Sequence, residues 1–178
     1  VDLSAVQCRK RKSTKAKEWH QIVARSQDAI ERRLILERLV YGDTPPQFSA
    51  PTYVVDNPEQ AERAAGRLRA HLGLGDEPIQ NLVALVESME LRVAPVDVDT
   101  DRFDGLAGWA REGVPYAAYL HNGVFPGERQ RFTLAHELGH VVMDTQAAEA
   151  NGFDSDDLAN RFAGALLVAQ PGFGSTSP

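Results

Sequence analysis

The amino-acid sequence predicts an α+β fold, in which helices come first, a small antiparallel sheet follows, and two further helices end the domain. Three observations favour this arrangement. Helical patterns fill most of the first half, a turn signal at Glu112-Gly113 separates two β-patterned segments, and helical periodicity returns at about residue 128. The chain has 178 residues, of which 43% are hydrophobic, so it can form one domain with a real core, or a small domain plus an extension.

The helices of the first half have recognisable ends. Residues 17–41 are mostly good helix formers, and Gly42 ends this helix. A second helix is predicted for residues 57–71, because Asn57 provides an N-cap directly before a proline. Asp76 is predicted to cap a third helix, which has apolar side chains on its buried side.

The predicted sheet has three strands. Residues 91–98 alternate in polarity, and Pro95 places this strand at a sheet edge, because proline has no N–H to donate to a neighbouring strand. Residues 105–111 and 114–121 are predicted to form an antiparallel hairpin. We expect the second hairpin strand to be an outer strand that can pair with an extended substrate backbone.

Composition and charge exclude several classes of protein. No apolar run is long enough for a transmembrane helix and no secretory signal is recognisable, so we expect a cytoplasmic protein without a membrane partner. The lone cysteine, Cys8, forbids an intrachain disulfide. The net charge of −6 makes the acidic body a poor binder of nucleic acid, although every lysine lies within residues 10–17. That basic segment is interpreted as a solvated linker, with contact to DNA as the alternative.

The strongest chemical signal is the motif His-Glu-Leu-Gly-His at residues 136–140, within a helix predicted for residues 128–144. Two histidines four residues apart lie on one face of a helix, so both imidazoles can bind one Zn²⁺. Glu137 lies about 100° around the helix from the first histidine. There it can accept a proton from water and pass it to a leaving amine. Gly139 is expected to allow another element to approach this helix closely.

A tetrahedral zinc site requires a third protein ligand besides His136 and His140. Asp156 is the preferred candidate, because it begins a helix whose small-residue face allows close approach to the histidines. The competing interpretation is that acids at this point only cap the helix and complement its dipole. Two other carboxylates stay open as the third ligand: Asp157 and Glu149. Mn²⁺ is the alternative to Zn²⁺.

Two helical motifs resemble those of the ImmA/IrrE family of zinc metallopeptidases. The first is Gln-Arg-Phe-Thr-Leu-Ala-His-Glu-Leu-Gly-His at residues 130–140, and the second is Leu-Ala-Asn-Arg-Phe-Ala-Gly-Ala-Leu-Leu at residues 158–167. The resemblance covers about residues 52–170 and implies a thermolysin-like minimal core. It also implies that the third ligand lies three residues before the Ala-Asn pair. Asp156 occupies this position, where the family usually has glutamate.

The resemblance also implies a domain organisation and partners. We predict a basic linker and N-terminal helix at residues 1–50, a metallopeptidase domain at 51–170 and a flexible tail at 171–178. Members of this family commonly carry, or are encoded beside, a helix-turn-helix DNA-binding domain of the phage-repressor type. DNA contact is therefore expected only through such an upstream domain, which this sequence lacks, or through the basic N-terminal segment.

The predicted activity is zinc-dependent endoproteolysis, with His136, His140 and Asp156 as metal ligands and Glu137 as general base. The resemblance implies that the protein substrate is a helix-turn-helix repressor, cleaved in a stress or mobile-element response. The alternative is a catalytically weak or inactive sensor module of a DNA-binding regulator, favoured by the shortened third ligand. Four side chains are candidate donors to the developing oxyanion: Tyr116, Tyr119, His121 and Arg131.

Overall fold

The structure combines helices with two small sheets, and the predicted α+β fold class is confirmed. The computed structural model describes residues 7–8, 16–43, 46–97, 104–110, 113–120 and 127–168. The elements, in chain order, are β1 (Gln7–Cys8), α1 (Ala16–Tyr41), β2 (Tyr53–Val54), α2 (Pro58–His71), α3 (Leu82–Ser88), β3 (Arg92–Val96), β4 (Gly105–Ala110), β5 (Val114–Leu120), α4 (Gly127–Val142), β6 (Met143–Asp144), α5 (Gln146–Ala150) and α6 (Ser155–Leu167). Within these described ranges, no helix is both long enough and apolar enough to span a bilayer.

The main sheet has the strand order β1-β4-β5-β3. The predicted hairpin is confirmed, with Gly105 opposite Tyr119 in antiparallel register. The prediction of a purely antiparallel sheet is wrong, because β3 runs parallel to β5. The hairpin returns its second strand beside β3, and strand polarity patterns carry no information about such a non-local partner. Pro95 lies in the edge strand β3, as predicted.

A second, two-stranded sheet explains where α4, the helix that carries the His-Glu-Leu-Gly-His motif, ends. The sequence predicts this helix to residue 144, but α4 ends at Val142 and Met143 pairs with Tyr53 of β2 in a parallel ladder. The N–H of Val55 also donates to the carbonyl of Asp144 at 2.9 Å. This pairing redirects the chain at the end of α4, immediately after the second histidine of the motif.

The core lies between the sheet and the α4–α6 pair. Gly139 of α4 faces Phe162 of α6, and a Cβ built on the glycine would lie 3.0 Å from Phe162 Cδ1. The prediction that Gly139 permits close approach of another element is therefore confirmed. The same core takes in α2, whose buried side includes Leu68. These contacts hold α6 against the histidine-bearing helix.

The helix α1 covers the other face of the sheet. Ile22 and Ile30 are fully buried there, in a cluster that includes Tyr116 of β5. Glu37 forms an ion pair with Arg92 of β3 at 2.9 Å, and the Arg92 side chain is only 1% exposed. The boundaries predicted at residues 50 and 170 stay predictions, and the tail at 171–178 lies outside the described residues.

The predicted cap of the third helix is wrong. The N-cap of α3 is Asn81 rather than Asp76, and Asn81 Oδ1 accepts a hydrogen bond from the N–H of Ala84 at 3.0 Å. The buried Arg69 guanidinium donates to the carbonyls of Gly75 and Glu77. These bonds hold the segment before α3 in turns, so the helix starts later than the sequence suggests.

Candidate metal centre and adjoining cavity

The candidate metal centre is built on one turn of α4. His136 and His140 are four residues apart, so their rings project from the same face of the helix. Their Nε2 atoms lie 3.1 Å apart, and both side chains are almost fully buried. The paired imidazoles predicted from the sequence therefore converge on one point.

Asp156 of α6 completes the cluster. Its Oδ1 lies 3.3 Å from His140 Nε2 and 3.7 Å from His136 Nε2. Four tetrahedral ligands at a zinc distance of about 2.0–2.1 Å are about 3.3 Å from one another. The three donor atoms thus have the chemical identity and the mutual spacing that a single divalent cation requires. In the described part of the chain, this is the group of histidine and carboxylate side chains that could hold a metal ion.

The electrostatics of the cluster favour an ionised carboxylate. The Nε2 atoms of His136 and His140 face the carboxylate and hold the pKa of Asp156 well below its usual range, against the opposing effect of burial. The Asp156 side chain is 35% exposed, so the cluster is open to solvent on the side of this carboxylate. A carboxylate that is negatively charged at neutral pH therefore faces the two imidazoles.

Asn160 orients the first histidine. His136 Nδ1 lies 2.9 Å from Asn160 Oδ1, and the ring nitrogen donates because an amide oxygen only accepts. The remaining lone pair is then on Nε2, the atom that faces His140 and Asp156. In the sequence, Asn160 is marked only as the asparagine of the Ala-Asn pair in the second motif. Its position four residues after Asp156, one helical turn further on, is the signal that would have identified it.

Glu137 lies on the sheet side of α4 and is 1% exposed. A Cβ built on Gly105 of β4 would lie 2.8 Å from Glu137 Oε1 and 2.6 Å from Thr133 Cγ2. Only glycine at residue 105 leaves room for this carboxylate between helix and sheet. No sequence pattern indicates this contact, because it joins residues that are far apart in the chain.

A cavity of about 400 Å³ adjoins the second histidine. It lies between the end of α4, the β6–α5 segment and one edge of β4. Its lining consists of Thr52, Ala107, Gly108, Trp109, His140, Val141, Met143, Asp144, Thr145, Gln146 and Glu149. Its size is in the range of about 300–1,000 Å³ typical of ligand sites, and one of the candidate metal ligands forms part of its wall.

The other predicted carboxylates lie outside the three-residue cluster. Glu149 accepts a hydrogen bond from Thr145 Oγ1 at 2.6 Å and lines the cavity. Asp157 is exposed on α6. Asp154 is the N-cap of α6 and accepts from the N–H of Asp156 at 2.8 Å. Capping is thus performed by Asp154, while the Asp156 carboxylate points to the histidines.

The predicted oxyanion donors are not gathered at the histidines. Tyr116 is fully buried on the α1 side of the sheet, so it does not face α4. Arg131 donates to the carbonyl of Ile79 at 2.6 Å. Tyr119 lines a separate cavity of about 170 Å³ with Arg131, and burial, with the nearby Glu87, raises its pKa. His121 lies outside the described residues, as does most of the basic segment at residues 9–15.

The expected docking strand for substrate is also placed differently. β5 lies between β4 and β3, so both of its edges are paired and strand addition to it is excluded. Among the residues that the structure describes, the edge of β4 that faces away from β5 pairs with β1 at Leu106 and Ala107. Gly108 and Trp109, further along this strand, line the cavity beside His140.

The fold and the site together define a class of protein. Metallopeptidases typically have an α+β domain in which one helix presents two histidines and a glutamate. A second helix presents a carboxylate to the same point. Residues 90–174 match the family described as Peptidase_M78, the IrrE N-terminal-like domain. This match confirms the resemblance of this part of the chain to the ImmA/IrrE family. The match supports a metallopeptidase-type function. No curated protein matches the chain.

Proposed function

We propose that the protein is a zinc-dependent endopeptidase. The observation that carries this proposal is the convergence of His136 Nε2, His140 Nε2 and Asp156 Oδ1 within 3.1–3.7 Å of one another, with Glu137 on the same helix as the two histidines. The match of residues 90–174 to a peptidase family supports the same class of reaction.

The two histidines and Asp156 would hold the zinc ion, with Asn160 keeping the His136 ring in the tautomer that ligation needs. When bound, zinc supplies a Lewis acid that polarises the scissile carbonyl and lowers the pKa of a water. Glu137 accepts the proton of the attacking water and delivers it to the leaving amine. Its burial against Gly105 keeps the carboxylate in one position for both transfers.

We place the substrate backbone along the edge of β4. Gly108 and Trp109 belong to both this edge and the cavity wall beside His140. A peptide added as a strand at Gly108–Ala110 would therefore pass close to the candidate metal centre. Backbone hydrogen bonds of this kind can form with many substrate sequences. Discrimination among substrates therefore depends on the pockets that bind substrate side chains.

We further propose that the natural substrate is a helix-turn-helix repressor, cleaved during a stress or mobile-element response. The support for this is the resemblance of the two helical motifs to ImmA/IrrE peptidases, many of which cut a partner repressor. Contact with DNA would occur through an upstream domain or through the basic N-terminal segment, rather than through the acidic body. A cytoplasmic location is consistent with this substrate.

One observation favours a second function, that of a sensor module that binds metal without cutting. The Asp156 carboxylate is one methylene shorter than the glutamate usual in the family, which weakens ligation unless α6 lies closer to α4. Glu137 argues against this alternative, since a scaffold that only binds a metal needs no general base.

The test is to incubate the purified full chain and zinc with a helix-turn-helix repressor encoded beside its gene, and to follow cleavage by mass spectrometry. The proposal predicts a discrete pair of fragments from the wild type and none from Glu137→Gln. If the Glu137→Gln protein still relieves repression in cells while His136→Ala does not, the sensor function is correct instead.

A further inference from the structure

The cavity beside His140 has an acidic wall. Asp144 and Glu149 both contribute to the lining, and the lining residues that the structure describes include neither lysine nor arginine. Since the candidate metal ligand His140 belongs to the same wall, a substrate residue next to the scissile bond would reach this cavity. Its chemistry therefore bears on which substrates the proposed peptidase selects.

Each of the two carboxylates accepts a hydrogen bond from a neighbouring residue through one of its oxygens, and this bond orients it. The N–H of Gln146 donates to Asp144 Oδ1 at 3.2 Å, and Thr145 Oγ1 donates to Glu149 Oε1 at 2.6 Å. In the described part of the chain, neither carboxylate forms an ion pair with a cationic side chain. The cavity thus presents two oriented negative charges that no lysine or arginine of the described chain compensates.

An aromatic wall points to the same kind of ligand through different chemistry. Trp109 lines the cavity and is 37% exposed, and the ring of Phe48 packs edge-on against it at a centroid distance of 6.0 Å. The Phe48 contact fixes the orientation of the indole. The face of an indole attracts cations, and the planar guanidinium of arginine stacks on it especially well.

We propose that this cavity is a specificity pocket for a basic substrate side chain, arginine above lysine. The proposal rests on the proposed peptidase function, because it assigns the side chain to a residue beside the scissile bond. Asp144 and Glu149 would bind the guanidinium through charge-assisted hydrogen bonds while Trp109 stacks on its plane. Asp144 and Glu149 are thus specificity-determining residues of the proposed reaction.

The binding test uses the tryptophan of the pocket as its reporter. The chain has two tryptophans, so Trp19→Phe leaves Trp109 as the single tryptophan, whose emission is excited selectively over that of tyrosine. The zinc-loaded Trp19→Phe chain is titrated at constant ionic strength with acetyl-arginine amide and with acetyl-citrulline amide, a neutral analogue of the same shape. The expected result is at least about tenfold tighter binding of the arginine probe, because only this probe is charged.

The variant Asp144→Asn/Glu149→Gln removes both charges and keeps an oxygen for each of the two hydrogen bonds. It is expected to bind both probes equally, whereas the control Asp43→Asn/Glu77→Gln, which neutralises two exposed acids outside the cavity, keeps the arginine preference. Equal binding of the two probes to the Trp19→Phe chain, or no saturable change with the arginine probe, overturns the pocket assignment. A preference that survives Asp144→Asn/Glu149→Gln also overturns it.

A second readout separates this proposal from the peptidase function. The wild-type chain with zinc is incubated with a mixed peptide pool, and the residues beside each cut are counted. Enrichment of arginine and lysine at one position, lost in Asp144→Asn/Glu149→Gln, supports the pocket. Arginine-selective binding without any cleavage supports the pocket but contradicts the peptidase, and cleavage with no basic preference contradicts the pocket alone.

Discussion

Asn160 Oδ1 accepts a hydrogen bond from His136 Nδ1 at 2.9 Å, and this contact joins the two helices that carry the candidate metal centre. The helix α6 therefore contributes twice: Asp156 lies beside the histidine Nε2 atoms, and Asn160, one turn later, fixes the ring of His136. If α6 were displaced relative to α4, the position of the proposed ligand Asp156 and the orientation of the proposed ligand His136 would change together.

Replacement of Asn160 by alanine is expected to weaken zinc binding by about 10–100-fold, because the His136 ring loses the acceptor that fixes its tautomer. Competition with a chromophoric chelator measures this directly. Asn160→Asp, which retains an acceptor, is expected to bind zinc more tightly than Asn160→Ala. Asn151→Ala, at an exposed position beyond α5, is the matched control. Wild-type affinity in Asn160→Ala would show that the contact does not orient a ligand.

Neutralisation of Asp156 tests which acid is the third ligand. Asp156→Asn is expected to lower zinc affinity by at least about tenfold, because a neutral amide replaces an anionic donor of the set. Asp157→Asn, a change of the same charge on the same turn of α6, is expected to leave affinity unchanged, since Asp157 is exposed. Isothermal titration with zinc distinguishes the two, and a loss confined to Asp157→Asn would reassign the ligand.

Gly105→Ala tests the space beside the general base. The added Cβ would lie 2.6 Å from Thr133 Cγ2 and 2.8 Å from Glu137 Oε1, so the glutamate must move. We expect a loss of about 1–3 kcal/mol in the free energy of unfolding and a fall in peptidase rate. Gly164→Ala is the control, because its Cβ would meet nothing within 4 Å. An active, fully stable Gly105→Ala protein would contradict the packing described for Glu137.

Glu37→Gln tests how firmly α1 is joined to the sheet. It removes the charge that faces the buried Arg92 and is expected to lower the free energy of unfolding by about 3 kcal/mol. Asp28→Asn breaks an exposed pair with Arg32 on the same helix, and its expected cost is below about 1 kcal/mol. Urea denaturation measures both changes. Equal, small effects would mean that the Glu37–Arg92 pair contributes little to stability.

Features set by helical periodicity could be predicted from the sequence. The spacing of His136 and His140 fixes a common helical face, and the small residues that follow Asp156 indicate a close helix approach. Both inferences use only residues within a few turns of one another. The resulting group of three side chains is the one that the structure brings together.

Features that depend on long-range pairing could not be predicted. The parallel alignment of β3 with β5 and the end of α4 at Val142 both depend on strands distant in sequence. The contact between Gly105 and Glu137 also joins residues distant in sequence. The pairing of β5 with β3, which leaves β5 no free edge for a substrate, is another long-range feature. Asp76 failed as a cap for a different reason, because Arg69, six to eight residues away in sequence, binds the carbonyls of Gly75 and Glu77 and holds this segment in turns.

The most direct test of the account is the zinc content of the purified chain, measured by elemental analysis in the wild type, in His136→Ala and in Glu137→Gln. The account predicts about one zinc per chain in the wild type and in Glu137→Gln, because Glu137→Gln spares all three donors. It predicts almost none in His136→Ala, because that change removes one donor. Full zinc content in His136→Ala, or none in a wild-type chain supplied with zinc, would contradict the metal centre.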